Sequence, residues 1–328
     1  MHPAQAAIKI AAFWSLPAAV AGFGGFVLQV LMAIWPLFAL IVAGQLMRRW
    51  QFPSDSFWPG AERLNYFILF PALLIASLAN APLTDPAIPR LALAVFSALG
   101  IGWIVLLVLR RVFKWESARF GVFTQAQLRF NTYLGLAIVG NLFGAEGLGI
   151  AAVLLALMVP AVNVLSVWAL TAERGVSPRT LLVPILKNPL ILGCVIGALI
   201  NLSGLGLPGG TDRLANLMAA ASLPLGLLCV GAALQPKDLH ARLGPLLWNT
   251  GVRLLIMPLL AWAVTWYLGL PLMESAVVVV FFAIPAATAS YMLTRQLGGD
   301  AQLMAGVLTL QTLLAIATMP LILGLLGF

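Results

Sequence analysis

The sequence predicts an all-α integral membrane protein: ten transmembrane helices in two inverted five-helix repeats, with helices four and nine broken at mid-depth and crossing. Three observations carry this prediction. The 328 residues are 62% hydrophobic and only 9% charged, far from the balance of a soluble domain. Apolar stretches of roughly 20 residues, the length that spans hydrocarbon, recur along the whole chain. Two of these stretches are interrupted at matching places in the two halves, at Arg129–Gly135 and Ile284–Ser290.

The predicted spans fall at 27–47, 61–80, 89–109, 119–143, 147–171, 182–202, 213–234, 243–267, 273–297 and 301–326. They divide the chain into a first repeat at 27–172, a short connection at 173–181 and a second repeat at 182–328. Residues 1–26 precede the repeats. This segment is apolar from Ala6 but carries Pro17, Gly22, Gly24 and Gly25. Lys9 and Ala19-Val20-Ala21 give it a signal-like pattern. An interfacial helix or an extra span also suits it, and an extension outside the repeats is the simplest reading.

Lys and Arg are shared unevenly among the connections. The odd-numbered ones and their flanks hold Arg48, Arg49, Arg63, Arg110, Arg111, Lys114, Arg119, Arg174, Arg179, Lys187, Lys237, Arg242 and Arg295, against Arg90 and Arg213 in the even-numbered ones. Basic residues favour the cytoplasmic side. The odd connections are therefore expected in the cytoplasm, and both ends of the ten-helix core on the outer side of the cell membrane. The net charge of +8 reports this topology and not a nucleic-acid partner, because the basic residues sit at helix ends and form no stripe. Cys194 and Cys229 lie inside apolar segments and read as small buried hydrophobes.

Sliding the chain against itself by 153 or 154 residues brings Pro36 onto Pro189, Pro71 onto Pro224, Asn131 onto Pro285 and Glu146 onto Asp300. Five spans per repeat is an odd number, so the second repeat lies upside down relative to the first. Asn131 is twelve residues from Arg119, and Pro285 is twelve from Met273. That is ~18 Å of helix, which puts both breaks near the middle of a ~30 Å core. Hydrocarbon offers a broken backbone no hydrogen-bond partner, so a break must face protein or a water-filled cavity. Paired breaks in two repeats point to the binding site of a secondary transporter.

The half-helix that begins at a break presents free N–H groups, which suit anions. Asn131, Thr132, Gly135, Pro285, Thr288 and Ser290 are the candidate substrate contacts at the two breaks. Arg129 is the sharpest single candidate. A charge at that depth is costly, and a guanidinium facing a cavity holds a carboxylate through two parallel hydrogen bonds. An arginine that caps freed carbonyls is the competing role. Arg253, also deep in its span, reads first as a helix tie and second as a cavity residue. Asn163 and Gln311 are further cavity candidates, and Gln311 with Thr309 and Thr312 forms a polar patch that also suits helix-to-helix bonding.

Several function classes are excluded. All ten acidic residues fall in predicted connections or at span ends, which disfavours a proton antiporter built on buried carboxylates. His2 and His240 are outside the spans, so a histidine relay is missing. No phosphate-binding loop, metal-ligand cluster or nucleophile–base pair lies in the membrane, so an ATP-driven pump within this chain and an intramembrane enzyme are not expected. No cofactor is expected, and sodium or proton coupling stays open.

The stretches Arg129-Phe130-Asn131-Thr132-Tyr133-Leu134-Gly135-Leu136, Lys187-Asn188-Pro189-Leu190-Ile191-Leu192, Leu225–Leu234, Arg295–Asp300 and Thr309–Leu313 resemble, in order, those of the auxin efflux carrier family of permeases, over residues 27–328. The resemblance implies ten helices in inverted repeats, broken helices four and nine, and a scaffold related to sodium–bile acid symporters. It implies carriage of small organic anions such as carboxylates, by alternating access around a midplane site. Its plant members carry proline near both breaks, and here the first break has Asn131 and Gly135 instead, so a looser first break is expected. The alternatives are a sodium-coupled symporter and an anion-sensing receptor without net transport. The expected partners are the anion, the bilayer and, as a homodimer, a second copy of the chain.

Overall fold

A computed structural model describes residues 27–28, 30–81, 83, 86–173, 183, 186–207, 209–236 and 243–327. The expectations for residues 1–26, for 174–181 and for the basic positions 237 and 242 lie outside the described residues. Among the described residues every regular element is helical. In chain order these are α1 (Val30–Arg49), α2 (Phe57–Ala79), α3 (Ile88–Phe113), α4 (Ser117–Leu128), α5 (Thr132–Thr171), α6 (Pro189–Ser203), α7 (Thr211–Ala233), α8 (Leu243–Tyr267), α9 (Leu272–Ala283), α10 (Ala289–Gln296) and α11 (Ala301–Leu326). Seven helical stretches among the described residues are long and apolar enough to cross a membrane. They are α1, α2, α3, the 55-residue stretch Ser117–Thr171 that holds α4 and α5, then α7, α8 and α11. The helices α6 and α9 are shorter and equally apolar.

Gly144 divides α5 into two arms, at φ 62° and ψ −150°. Glycine takes this conformation without a Cβ penalty, and the arms fold back on each other there, with Gly147 against Val139 and Gly140 against Leu148. The second arm returns to the level of α4, where Leu170 packs on Gly121. The connection expected at 144–147 is thus a single non-helical residue.

The two interrupted segments break as the sequence indicates. Each begins with a half-helix of 12 residues, α4 and α9. The residue after each is extended in nearly the same conformation, Arg129 at φ −80°, ψ 152° and Ile284 at φ −77°, ψ 156°. The first break is the shorter, with residues 129–131 outside helices against 284–288 in the second. Asn131 is the reason: its side-chain oxygen accepts from the Leu134 N–H at 3.2 Å and caps the new helix at once, as a good N-cap residue does. The looser first break expected from its missing proline is not seen.

Both half-helices form the centre of the packing. Phe120–Leu128 and Ser275–Ala283 are buried throughout. A run of valines at 277–280 is a poor helix former by itself, and burial on every side of α9 overrides that preference. Elsewhere small residues bring backbones together, as expected for helices in lipid. Gly44 of α1 sits on the Leu228 backbone of α7, and Gly231 of α7 on the Ile41 carbonyl of α1.

At the end where α4 starts, Arg110 ties three helices. Its guanidinium lies over the rings of Phe120 (4.8 Å) and Trp168 (6.0 Å) and donates to Ser117 Oγ at 3.3 Å and Glu173 Oε1 at 3.5 Å. The same Glu173 oxygen accepts from the Ser117 backbone N–H at 2.9 Å. These bonds, the Ser117 ones first and Arg110 after them, hold the Glu173 carboxyl below its ordinary range.

Candidate functional site at the crossing breaks

The two breaks meet. The Asn131 N–H donates to the Pro285 carbonyl at 2.8 Å, a backbone bond between the interrupted middles of the two segments. Gly135 makes the approach possible, since a Cβ there would lie 2.8 Å from the Phe281 ring and 2.9 Å from Ile284 Cδ1.

Breaking two helices leaves orphan carbonyls at the ends of α4 and α9, and two side chains satisfy them. Arg253, 1% exposed, comes from the π-helical turn Val252–Ile256 inside α8. It donates from Nη1 to Gln127 O at 2.6 Å, from Nη2 to Phe281 O at 2.8 Å and from Nε to Ile284 O at 2.7 Å. The partial negative ends of both half-helices therefore converge on one guanidinium. Gln311 of α11 accepts from the Ala286 N–H at 2.9 Å and donates to Ala126 O at 3.3 Å, so it also bridges the breaks. Gln127 extends the network to Asn249 of α8 at 3.0 Å.

Beside the crossing lies a cavity of about 80 Å³. Arg129, Asn131, Thr132, Asn163 and Thr288 line it together. Arg129 makes no hydrogen bond or ion pair from its side chain among the described residues. The contrast with Arg253, whose donors are used on protein carbonyls, is direct. Asn131 is 2% exposed and its Nδ2 has no partner among the described residues. In the first turn of α5 the Thr132 and Tyr133 N–H groups likewise find no acceptor among the described residues. A charged donor, a buried amide donor and a helix N-terminus thus line one small polar-ended space, the donor set a carboxylate requires.

The remaining candidates are placed elsewhere. Arg253 and Gln311 do not line this cavity, because their polar atoms are used up on the breaks. Gly135 and Pro285 shape the crossing behind it. Ser290 is fully buried in the first turn of α10, and its hydroxyl has no partner among the described residues. Thr309 and Thr312 bond back to the carbonyls of Ala305 and Leu308, and Thr309 Oγ1 also accepts from the Gln235 N–H at 3.0 Å.

Glu62, Tyr66 and Asn188 line the cavity and were not expected there. Placing all acidic residues in connections or at span ends is corrected at Glu62. The helix starts at Phe57 and not at 61, so Glu62 is in its second turn. Glu62, Tyr66 and Phe70 recur every four residues along α2 and face the cavity together. That spacing was legible, but the early helix start hid it. Asn188 caps α6, accepting from Leu190 N–H at 2.9 Å, and only its place in the fold puts it at the site.

Residues 175–323 match the family Mem_trans, described as membrane transport protein. Over these residues the chain is similar to the membrane transport proteins of this family. Four of the motif stretches, Lys187–Leu192, Leu225–Leu234, Arg295–Asp300 and Thr309–Leu313, lie inside the matched segment, in agreement with the permease resemblance read from them. An uncharacterized transporter of Methanothermobacter thermautotrophicus is similar to the chain, at 24% identity over 270 residues, covering 80% of this chain and 87% of its own. With seven helical stretches among the described residues long and apolar enough to cross a membrane, the chain is a multi-pass membrane protein.

Proposed function

We propose that this membrane protein is a transporter, a secondary carrier of small organic anions such as carboxylates. The observation that carries the reading is Arg129, an arginine at the crossing that lines the cavity and makes no side-chain hydrogen bond or ion pair among the described residues. The carboxylate lies against Arg129, the Asn131 amide and the first turn of α5, with Thr132 and Thr288 completing its shell.

The architecture that suits this role is ten crossings in two inverted repeats. The 55-residue stretch Ser117–Thr171 is ~80 Å of helix, more than twice the hydrocarbon thickness, and its fold-back at Gly144 supports two crossings. The matching half-helices α4 and α9 support the repeat. The basic residues put the odd connections in the cytoplasm and both core ends outside the cell membrane. Rocking of one bundle against the other then exposes the site alternately.

Sodium coupling through the carbonyl ends of the broken helices is the second reading. Arg253 speaks against it, since it already occupies three of those carbonyls with a fixed positive charge. Two driving forces remain, the membrane potential and a proton gradient. One charge crossing 100 mV is worth ~2.3 kcal/mol, about a fifty-fold gradient. The test is flux of labelled carboxylates into proteoliposomes under imposed potential, sodium or pH gradients, with the Arg129→Gln variant alongside. Flux indifferent to every gradient, or unchanged in the variant, removes the proposal.

A further inference from the structure

We propose that Glu62 takes up one proton when a carboxylate binds at Arg129, so that the anion and the proton are carried together. This rests on the anion-carrier reading and adds its coupling ion. Glu62 lines the same cavity as Arg129. Neither side chain has a hydrogen bond or ion pair among the described residues, the two therefore not being within salt-bridge distance of each other. The site thus carries one basic and one acidic side chain around a small volume.

A carboxylate ligand changes that balance. It engages the guanidinium and leaves Glu62 as a second negative charge in the same space. Two carboxylates sharing a poorly solvated site do not both stay ionised, and one of them accepts a proton. The ligand is held by Arg129, so the proton goes to Glu62. The ionisable groups that face Glu62 do not offer another remedy. Tyr66 lies one turn along α2, Tyr133 at the start of α5 and Cys229 on α7, all neutral groups at physiological pH. From α6 comes only the Asn188 amide. The neighbouring Arg63 points to the Phe67 ring instead, 5.9 Å from its centroid. Glu62 is only half-buried, so water can deliver the proton. Anion and proton together carry no net charge, and flux then follows the pH gradient rather than the potential.

The test uses the purified full chain with lactate, pyruvate and benzoate, all ionised between pH 6 and 8.5. In the wild type, affinity is expected to fall at least tenfold across this range, because linkage weakens binding as the proton becomes scarce. Glu62→Gln is expected to bind with a flat profile, at or above the wild type's pH 6 affinity. Calorimetry of the wild type in phosphate and in Tris, which differ in ionisation heat, is expected to show proton uptake approaching one per anion; this holds even where the variant folds poorly. Binding that depends on Arg129 but is flat with pH, or that takes up no proton, overturns the coupling and leaves the carrier reading standing. Binding of alanine or γ-aminobutyrate in preference to the plain acids, lost in Glu62→Gln, also overturns it, because Glu62 then meets an ammonium. Carboxylate binding unaffected by Arg129→Gln, or none at all, overturns both.

Discussion

The backbone N–H of Asn131 and the carbonyl of Pro285, 154 positions apart in sequence, are joined by a 2.8 Å hydrogen bond. Both residues are buried, so the bond is not exchanged with solvent. Its net worth is about 1 kcal/mol, but its larger effect is geometric. It joins the two breaks, and so ties Arg129 and Thr132 to the segment that carries Thr288, which lines the same cavity.

Arg253 is expected to be the most sensitive position for stability. Arg253→Met strips three buried carbonyls of their donor, and each unsatisfied group costs about 1–3 kcal/mol. A loss of at least about 3 kcal/mol is expected, read as a lower unfolding midpoint in detergent. An unchanged midpoint shows that the half-helix ends find other partners.

Arg129 behaves in the opposite way. Arg129→Gln removes a charge-assisted contact that no protein group shares. Carboxylate affinity is expected to fall by about 10- to 100-fold, the equivalent of one to two charged hydrogen bonds, while the unfolding midpoint stays within error of the wild type. A large drop in midpoint with affinity retained assigns the residue to the scaffold.

Gly135→Ala tests the crossing without touching the cavity. The new methyl would meet the Phe281 ring at 2.8 Å, an overpacking expected to cost about 1–3 kcal/mol. Flux is expected to fall with stability. The control, Gly60→Ala, adds a methyl into open space and is expected to change neither.

At the Arg110–Ser117–Glu173 tie the expectation is a pH dependence. The folded protein holds the Glu173 carboxyl below its ordinary value, so the stability it adds is present above the unfolded pKa of about 4.3 and is lost as pH falls through the folded one. Glu173→Gln is expected to lower the unfolding midpoint slightly at pH 7, and the gap to the wild type is expected to close near pH 3. A constant gap down to that pH shows that the charge does not matter.

Much of the fold was open to sequence reading because lipid imposes a single strong rule. Every apolar stretch must satisfy its own backbone, so helix positions follow hydropathy, and α8 and α11 fall on the predicted 243–267 and 301–326. Breaks are legible for the same reason, since Asn131 and Pro285 stand out in otherwise apolar runs. Position along the chain also marked Arg129 and Arg253 as the two arginines deep in their helices.

The sequence could not divide roles between those two arginines. Both have the same chemistry and similar depth, and what separates them is which groups surround each guanidinium. Arg253 meets three carbonyls from two helices that come from distant parts of the chain, while Arg129 lines a cavity beside Tyr66. Glu62 depended on the tertiary structure for the same reason. One extra turn at the start of α2 turned an expected span-end residue into a wall of the cavity. Composition and periodicity determine which segments are helical and where they fail, because those are local properties of backbone and solvent. Which side chain answers which orphan group is settled only when the segments are packed, because the partners lie on different helices, 28 residues apart for Arg253 and Phe281 and 126 for Arg253 and Gln127.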